Sequence, residues 1–587
     1  DTCVPMQSGE ITVSYIEEAM YTKASFVCLL LASVAAVSAQ GVERGDTVVD
    51  GQRLTEVTVA ARHRGLTKGA GVGNTEMITA KELLRAACCN LGESFTTNPS
   101  VDVNYADAAT GARQIRLLGL SGTYVQLLTE NIPNYRGLAQ PFALGYIPGP
   151  WMQSIQVSKG ASSVKNGYES ITGQINVEFK KPQATPFADA SLYVNSKQKM
   201  EANVGANLLL SERWSAALLG HYELLDKAHD GNGDGFADMP KMRQGALQGR
   251  WAWMGDSYVF QASVKGLKEH REGGQTGHHA MAMNPYLIDI TNERYEAFAK
   301  NAYIFDKEHS GNVALILSGS LHHEDAAYGH KTYKADQRNG YASLMFETDM
   351  DEHHSLSTGV SLNHDRYDQH CKLEHDDADS NELDEENTPG VYAQYTYKNG
   401  EKFTLMGGLR WDHSSVYGSF VTPRMHMKYT PFEALTLRAS AGKGYRTNHV
   451  LAENNYLLAS GRTVIIDKNL DQEEAWNLGV SAQLSIPIGE KELDVSAEYY
   501  YTDFLHQTVV DLDSNPHAVH FTNLQGDSYS HTWQLEATYP LIEGLTVTAT
   551  YRRNTVKSTY GGRLLEKPLT NRYKGLLTAS YAPGLGK

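Results

Sequence analysis

Three stretches of this sequence concentrate side chains that bind soft metal ions. His270, His278, His279, Met281 and Met283 fall in the first, His322, His323 and His330 in the second, and His370, Cys371 and His375 in the third. Imidazole and thioether groups suit copper, zinc, nickel or haem iron. Loops carrying them at an entrance could capture such a cargo, with His278, His279, Met281, Met283, His322, His323, His370 and Cys371 as the capture residues. The alternative is that exposed polar loops collect histidine without a ligand. A different chemistry is spelled by Asp230, Asn232, Asp234 and Asp238, which follow the D-x-N-x-D-G spacing of a calcium loop. Position twelve of that frame is Lys241, where an EF-hand has its bidentate Glu, so the expectation is weak or shared calcium binding that orders the loop. The competing reading is a plain Gly/Asp-rich outer loop.

No nucleophile elbow, P-loop or HExxH is found in the sequence, so an enzyme is not expected. Five cysteines, with only Cys88 and Cys89 close together, give neither a paired framework nor a CxxC site. A net charge of -16 argues against nucleic acid as a partner, because phosphate neutralisation needs a basic face.

The elements that must carry these loops are strands. After Pro186 the chain runs as a succession of roughly ten-residue segments with dyad alternation. Leu545, Val547, Ala549 and Tyr551 alternate with threonines; Leu493, Val495, Ala497, Tyr499 and Tyr501 alternate with Asp494, Ser496, Glu498 and Tyr500. One face of each strand is apolar and the other polar, the pattern of an outer-membrane barrel with lipid outside and a wet lumen inside. Closure satisfies every backbone group where no water can. Short turns such as Ser211-Glu212-Arg213 alternate with long polar stretches, among them 226–241, 269–289, 323–339, 365–388, 442–470, 504–530 and 554–571, read as outward loops.

Upstream the pattern differs. Residues 1–19 show no strong pattern and are read as spurious upstream sequence. Residues 20–39 read as a signal peptide, with Lys23, an apolar run from Ala24 to Ala36, and Val37-Ser38-Ala39. A polar arm, 40–73, contains the alternating stretch from Leu54 to Ala60. It is either a strand offered to another protein or the first strand of the next domain. Residues 74–182 form an α+β domain with a helix over 79–91 and a hairpin-like signal at 114–120 and 124–128 around Ser121-Gly122. The domain ends in Trp151 to Val177, two alternating runs separated by a Gly/Ser-rich turn region.

That last stretch carries a resemblance. Ile155, Val157, Lys159, Gly160, Gly167, Tyr168, Gly173, Ile175, Asn176 and Val177 are similar to the closing plug segment of TonB-dependent outer-membrane receptors. Asn98-Pro99-Ser100-Val101 and Ile115-Arg116-Leu117-Leu118-Gly119 also match, and Leu54, Thr55, Glu56, Val57, Thr58 and Val59 resemble the TonB box. The resemblance implies a transmembrane antiparallel β-barrel with an N-terminal α+β plug inside the lumen. It implies active import of an iron chelate, haem or a transition metal such as copper, powered by TonB. The partners implied are TonB, outer-membrane lipid and a small-molecule or metal-chelate cargo; the receptor works as a monomer and needs no cofactor. About eighteen of the family's twenty-two strands are expected from 187 to 587, so the chain is read as truncated at its C-terminus. A passive porin or an adhesin-like barrel is the rival class.

Overall fold

The computed structural model describes residues 67–68, 71–85, 89–182, 188–277, 279–281, 283–373 and 380–581. The proposed signal, the Leu54–Val59 stretch and His278 lie outside them. Glu82 caps the domain's helix, Ala80–Arg85. Its carboxylate accepts from the Thr79 N–H at 2.8 Å, the reciprocal half of an N-terminal capping box.

A six-stranded sheet runs in the order Thr67–Lys68, Thr75–Thr79, Met152–Lys159, Gly173–Phe179, Val125–Thr129, Ile132–Pro133. At its centre Met152–Lys159 and Gly173–Phe179 pair antiparallel, with Ile155 opposite Val177 and Val157 opposite Ile175, so the four branched side chains are buried together. Gly173 is obligatory here: its φ is +148°, and a Cβ would stand 2.2 Å from the Ser158 carbonyl oxygen.

A second sheet joins Val101–Asp107, Ala112–Leu117 and Leu120–Ser121. The expected hairpin around Ser121-Gly122 does not form. Leu118 and Gly119 both take positive φ and fold Leu120–Ser121 back onto Arg116–Leu117. The turn Gly122–Tyr124 then sends Val125–Thr129 into the other sheet, parallel to Gly173–Phe179. The alternation of both runs was right for strands, but their partners were distant ones.

From Ala188–Val194 to Tyr573–Tyr581 the chain builds one antiparallel sheet of nineteen strands, one of them only the four-residue Arg563–Glu566. No pairing joins Ala188–Val194 to Tyr573–Tyr581 among the described strands. The alternation has the expected sense. Along Leu545–Tyr560, Tyr551 is exposed on the outer face while Thr550 and Arg552 are buried inside.

Two expected long loops are instead strand. Gly311–Tyr328 and Lys331–Asp349 run to a tight turn at Gly329-His330, and His354–Lys372 and Ser380–Asn399 consume most of 365–388. Polar composition marked these stretches as loops. They are strands whose outward faces are charged, because they rise past the apolar band: Lys334 meets Asp325 and His323 meets Asp336 across neighbouring strands.

Candidate functional site

The N-terminal domain sits on the concave side of the sheet and touches strands all the way round it. Glu130 accepts from Arg250 at 2.7 Å, Tyr135 accepts from Lys265 at 2.7 Å, and Arg136 pairs with Asp365 at 2.8 Å. On the far side Lys159 pairs with Glu498, and Asp102 with Arg552 and Lys574. Burying such charges costs several kcal/mol each unless they are paired. Their matching across the two domains therefore fixes how the inner one is seated.

The expected closing segment is held to the wall by several of these contacts. Arg424, from the wall, projects its guanidinium into a ring of inner-domain carbonyls: Ser163 at 3.1 Å, Gly167 at 3.0 Å, Tyr168 at 2.9 Å and Ser170 at 3.3 Å. Five N–H donors in a rigid fork suit that many acceptors. Gly442 on the adjoining strand lets the loop approach so closely, since a Cβ there would lie 2.6 Å from the Ala161 methyl. Lys159 is buried between Glu76, 2.7 Å away, and Glu498. Burial alone would lower its pKa, but Glu498 and Glu76 together raise it above the ordinary lysine range.

Above the inner domain a loop folds inward. Val450–Asn454 is helical, and Leu451, Ala452, Tyr456 and Leu458 are buried in the same cluster as Leu138 and Leu144 of the inner domain. The signal was present in the sequence as two apolar groups, Val450 to Ala452 and Tyr456 to Leu458, inside a long polar connection. The cavity left between this loop and the inner domain, lined by Gln126, Arg136, Arg446, His449 and Glu453 among others, has a volume of about 70 Å³. That is room for roughly five waters at ~10–15 Å³ each.

The soft-ligand residues are not assembled at one point. His322 and His323 are consecutive on a strand, so they face opposite ways: His322 is buried beside Tyr146, while His323 is exposed and bonds Asp336. His370 and Cys371 split likewise, His370 exposed beside Asp368 and Cys371 buried in the core. None of these four lies on a loop, contrary to expectation. Only His279, Met281 and Met283, of the capture residues described, stand on an outward loop, with both methionines exposed. Among the described residues no group of three or more His, Cys, Asp or Glu is placed to hold a metal ion.

The calcium-like loop lies against that same outward loop, Thr276 N–H donating to the Gly235 carbonyl. Its carboxylates turn inward on the backbone. Asp230 accepts from Gly233 and Gly235, Asp234 from Phe236, and Asp238 from Gly231, which closes the loop through its own donors.

Comparison with known proteins matches this arrangement. Residues 67–174 fit the model of the TonB-dependent receptor plug domain, and 229–586 fit that of the TonB-dependent receptor-like β-barrel. The chain belongs to the TonB-dependent receptor family, Gram-negative outer-membrane β-barrels whose lumen holds a plug and which work with TonB. It is 21% identical to the ferric enterobactin receptor of Pseudomonas aeruginosa, over 89% of this chain and 78% of that protein. In fold it is similar to the siderophore receptor PirA from Acinetobacter baumannii, with TM-score 0.67, 16% identity, and 86% and 84% of the two chains covered. It is also similar to the copper transporter OprC, with TM-score 0.69, 15% identity, and 90% and 84% covered.

Proposed function

We propose that this receptor imports a metal chelate, a ferric siderophore in the first place, and that the chelator rather than the protein supplies the metal's ligands. The observation that carries this reading is the dispersal of the soft donors. His322 and Cys371 are buried on the lumen side while their neighbours His323 and His370 face outward, so these four do not converge on a bare ion. A chelated ion needs no such set. It needs shape, aromatic surface and charge at the plug's outward apex, where Arg113 lies over the exposed Tyr105 ring at 4.9 Å. The ferric enterobactin receptor of Pseudomonas aeruginosa, among the relatives, points the same way. In this reading Leu54 to Val59 is the segment that TonB grips.

Direct binding separates the chelate from the bare ion. The full-length receptor is titrated with ferric catecholate and hydroxamate chelates, haem, and free copper and zinc, alongside a His279→Ala/His323→Ala/His370→Ala variant. Saturable binding of a ferric chelate, unchanged in the variant, is expected. Saturable binding of a free ion that the variant loses, with no chelate bound, contradicts the reading.

A further inference from the structure

The inward loop, residues 447–462, is held at both ends by side chains on different parts of the molecule. At its tip Asn455 donates to Glu324 on another part of the wall, both of them fully buried. Beyond the tip, Lys331 donates to the carbonyls of Ser460 and Arg462 at 2.8 and 2.6 Å, and Tyr286 to that of Ala459 at 2.6 Å. The loop therefore crosses the lumen as a strap. The cavity of about 70 Å³ beneath it is too small to hold a chelate in this conformation.

At its base the strap is tied to the plug through a chain of four buried residues. Arg446, at the end of its strand, pairs with Glu453 of the strap helix through one guanidinium nitrogen and with Glu473 of the next strand through another. The other Glu473 oxygen accepts from the hydroxyl of Tyr124, on the plug, at 2.8 Å, and the Arg446 guanidinium lies 5.8 Å from the same ring. Tyr124 immediately precedes Val125–Thr129, the strand laid parallel to Gly173–Phe179 in the plug sheet.

We propose that residues 447–462 form an entrance strap and that Arg446 is a positioning residue for transport, coupling the strap to the plug through Glu473 and Tyr124. When the plug moves, Tyr124 leaves Glu473. Glu473 keeps the Thr508 N–H at 3.0 Å, while Arg446 loses the Tyr124 ring beside its guanidinium, which loosens its hold on Glu453 and frees the strap to open. The coupling rests on the reading of TonB-driven transport; the closure of the strap does not.

The test uses a cysteine reporter in the strap, Ala452→Cys, and a second, Leu451→Cys, should the first fail to assemble. Each is placed in the full-length receptor in whole cells and labelled from outside with a membrane-impermeant maleimide, the parent without a reporter giving the background. Slow labelling is expected in the reporter strain. Arg446→Met should accelerate it roughly tenfold or more, as expected when one partner of a buried ion pair is removed. Loss of TonB should slow the reporter further, and Tyr124→Phe, which keeps the ring packed on Phe504, should abolish that TonB effect. Fast labelling without any second substitution, no acceleration by Arg446→Met, or an unchanged TonB effect in Tyr124→Phe each overturns the proposal. Chelate uptake that does not depend on TonB would overturn the transport reading instead, and the Arg446→Met comparison would still decide whether the strap is closed.

Discussion

The ammonium of Lys159, in the last plug segment, is buried against the carboxylate of Glu498 on the barrel wall, with Glu76 of the plug on its other side at 2.7 Å. Three charges share a space without solvent, one positive and two negative, so each depends on the others. Removing one partner of such a group costs about 3–5 kcal/mol, since the remaining charge stays buried. Lys159→Met should therefore loosen the plug: thermal unfolding of the purified receptor should start earlier, and protease should reach the 159–173 segment. An unchanged melting profile and protease pattern would show that the group contributes nothing to seating.

Arg424 sets a second prediction. Its guanidinium serves carbonyls of Ser163, Gly167, Tyr168 and Ser170 at once, and Lys has one compact ammonium in place of that planar fork. Arg424→Lys should fail to replace it, leaving buried carbonyls unpaired at about 1–3 kcal/mol each. Equal stability of Arg424→Lys and the parent in denaturant titration would contradict this.

The plug's seat should also respond to pH. Glu178 is raised to about 7 by burial, with the neighbouring Glu130 carboxylate acting in the same direction. A carboxyl whose folded pKa is raised favours the seated state when protonated, so its contribution is full below the unfolded value of ~4.3 and is lost as pH rises through the folded one. Plug stability should fall between about pH 4 and pH 7 and level off above that. Glu178→Gln should flatten that slope and leave the receptor more stable than the parent at the upper end. A parental curve that is flat over this range, or a slope that survives in Glu178→Gln, would sink the assignment.

The sequence made the barrel legible because dyad alternation is imposed by lipid on one face and water on the other. Tyr551 out and Arg552 in could be read directly from their positions. The closing plug segment was equally readable, since Ile155, Val157, Ile175 and Val177 repeat at strand spacing and Gly173 marks a place where no Cβ fits. Partnership was not readable. Glu498 occupied the correct face, but nothing in the sequence says that Lys159, 339 positions away, would meet it. His322, His323, His370 and Cys371 lie on strands and not on the expected loops, and adjacent histidines that look like a cluster in one dimension are sent to opposite sides, as His322 and His323 are. The strap was hidden by its polar surroundings, although the apolar groups Val450 to Ala452 and Tyr456 to Leu458 had no reason to exist in a solvated loop.

In the proposed function, import through this barrel is driven by TonB acting on the arm ahead of the plug. It is tested most directly by deleting residues 54–60 from the full-length receptor, confirming its level in the outer membrane, and measuring accumulation of a radiolabelled ferric chelate that the receptor binds. Binding at the cell surface should match the parent, with accumulation reduced to that of receptor-free cells. Accumulation at the parental rate would contradict it.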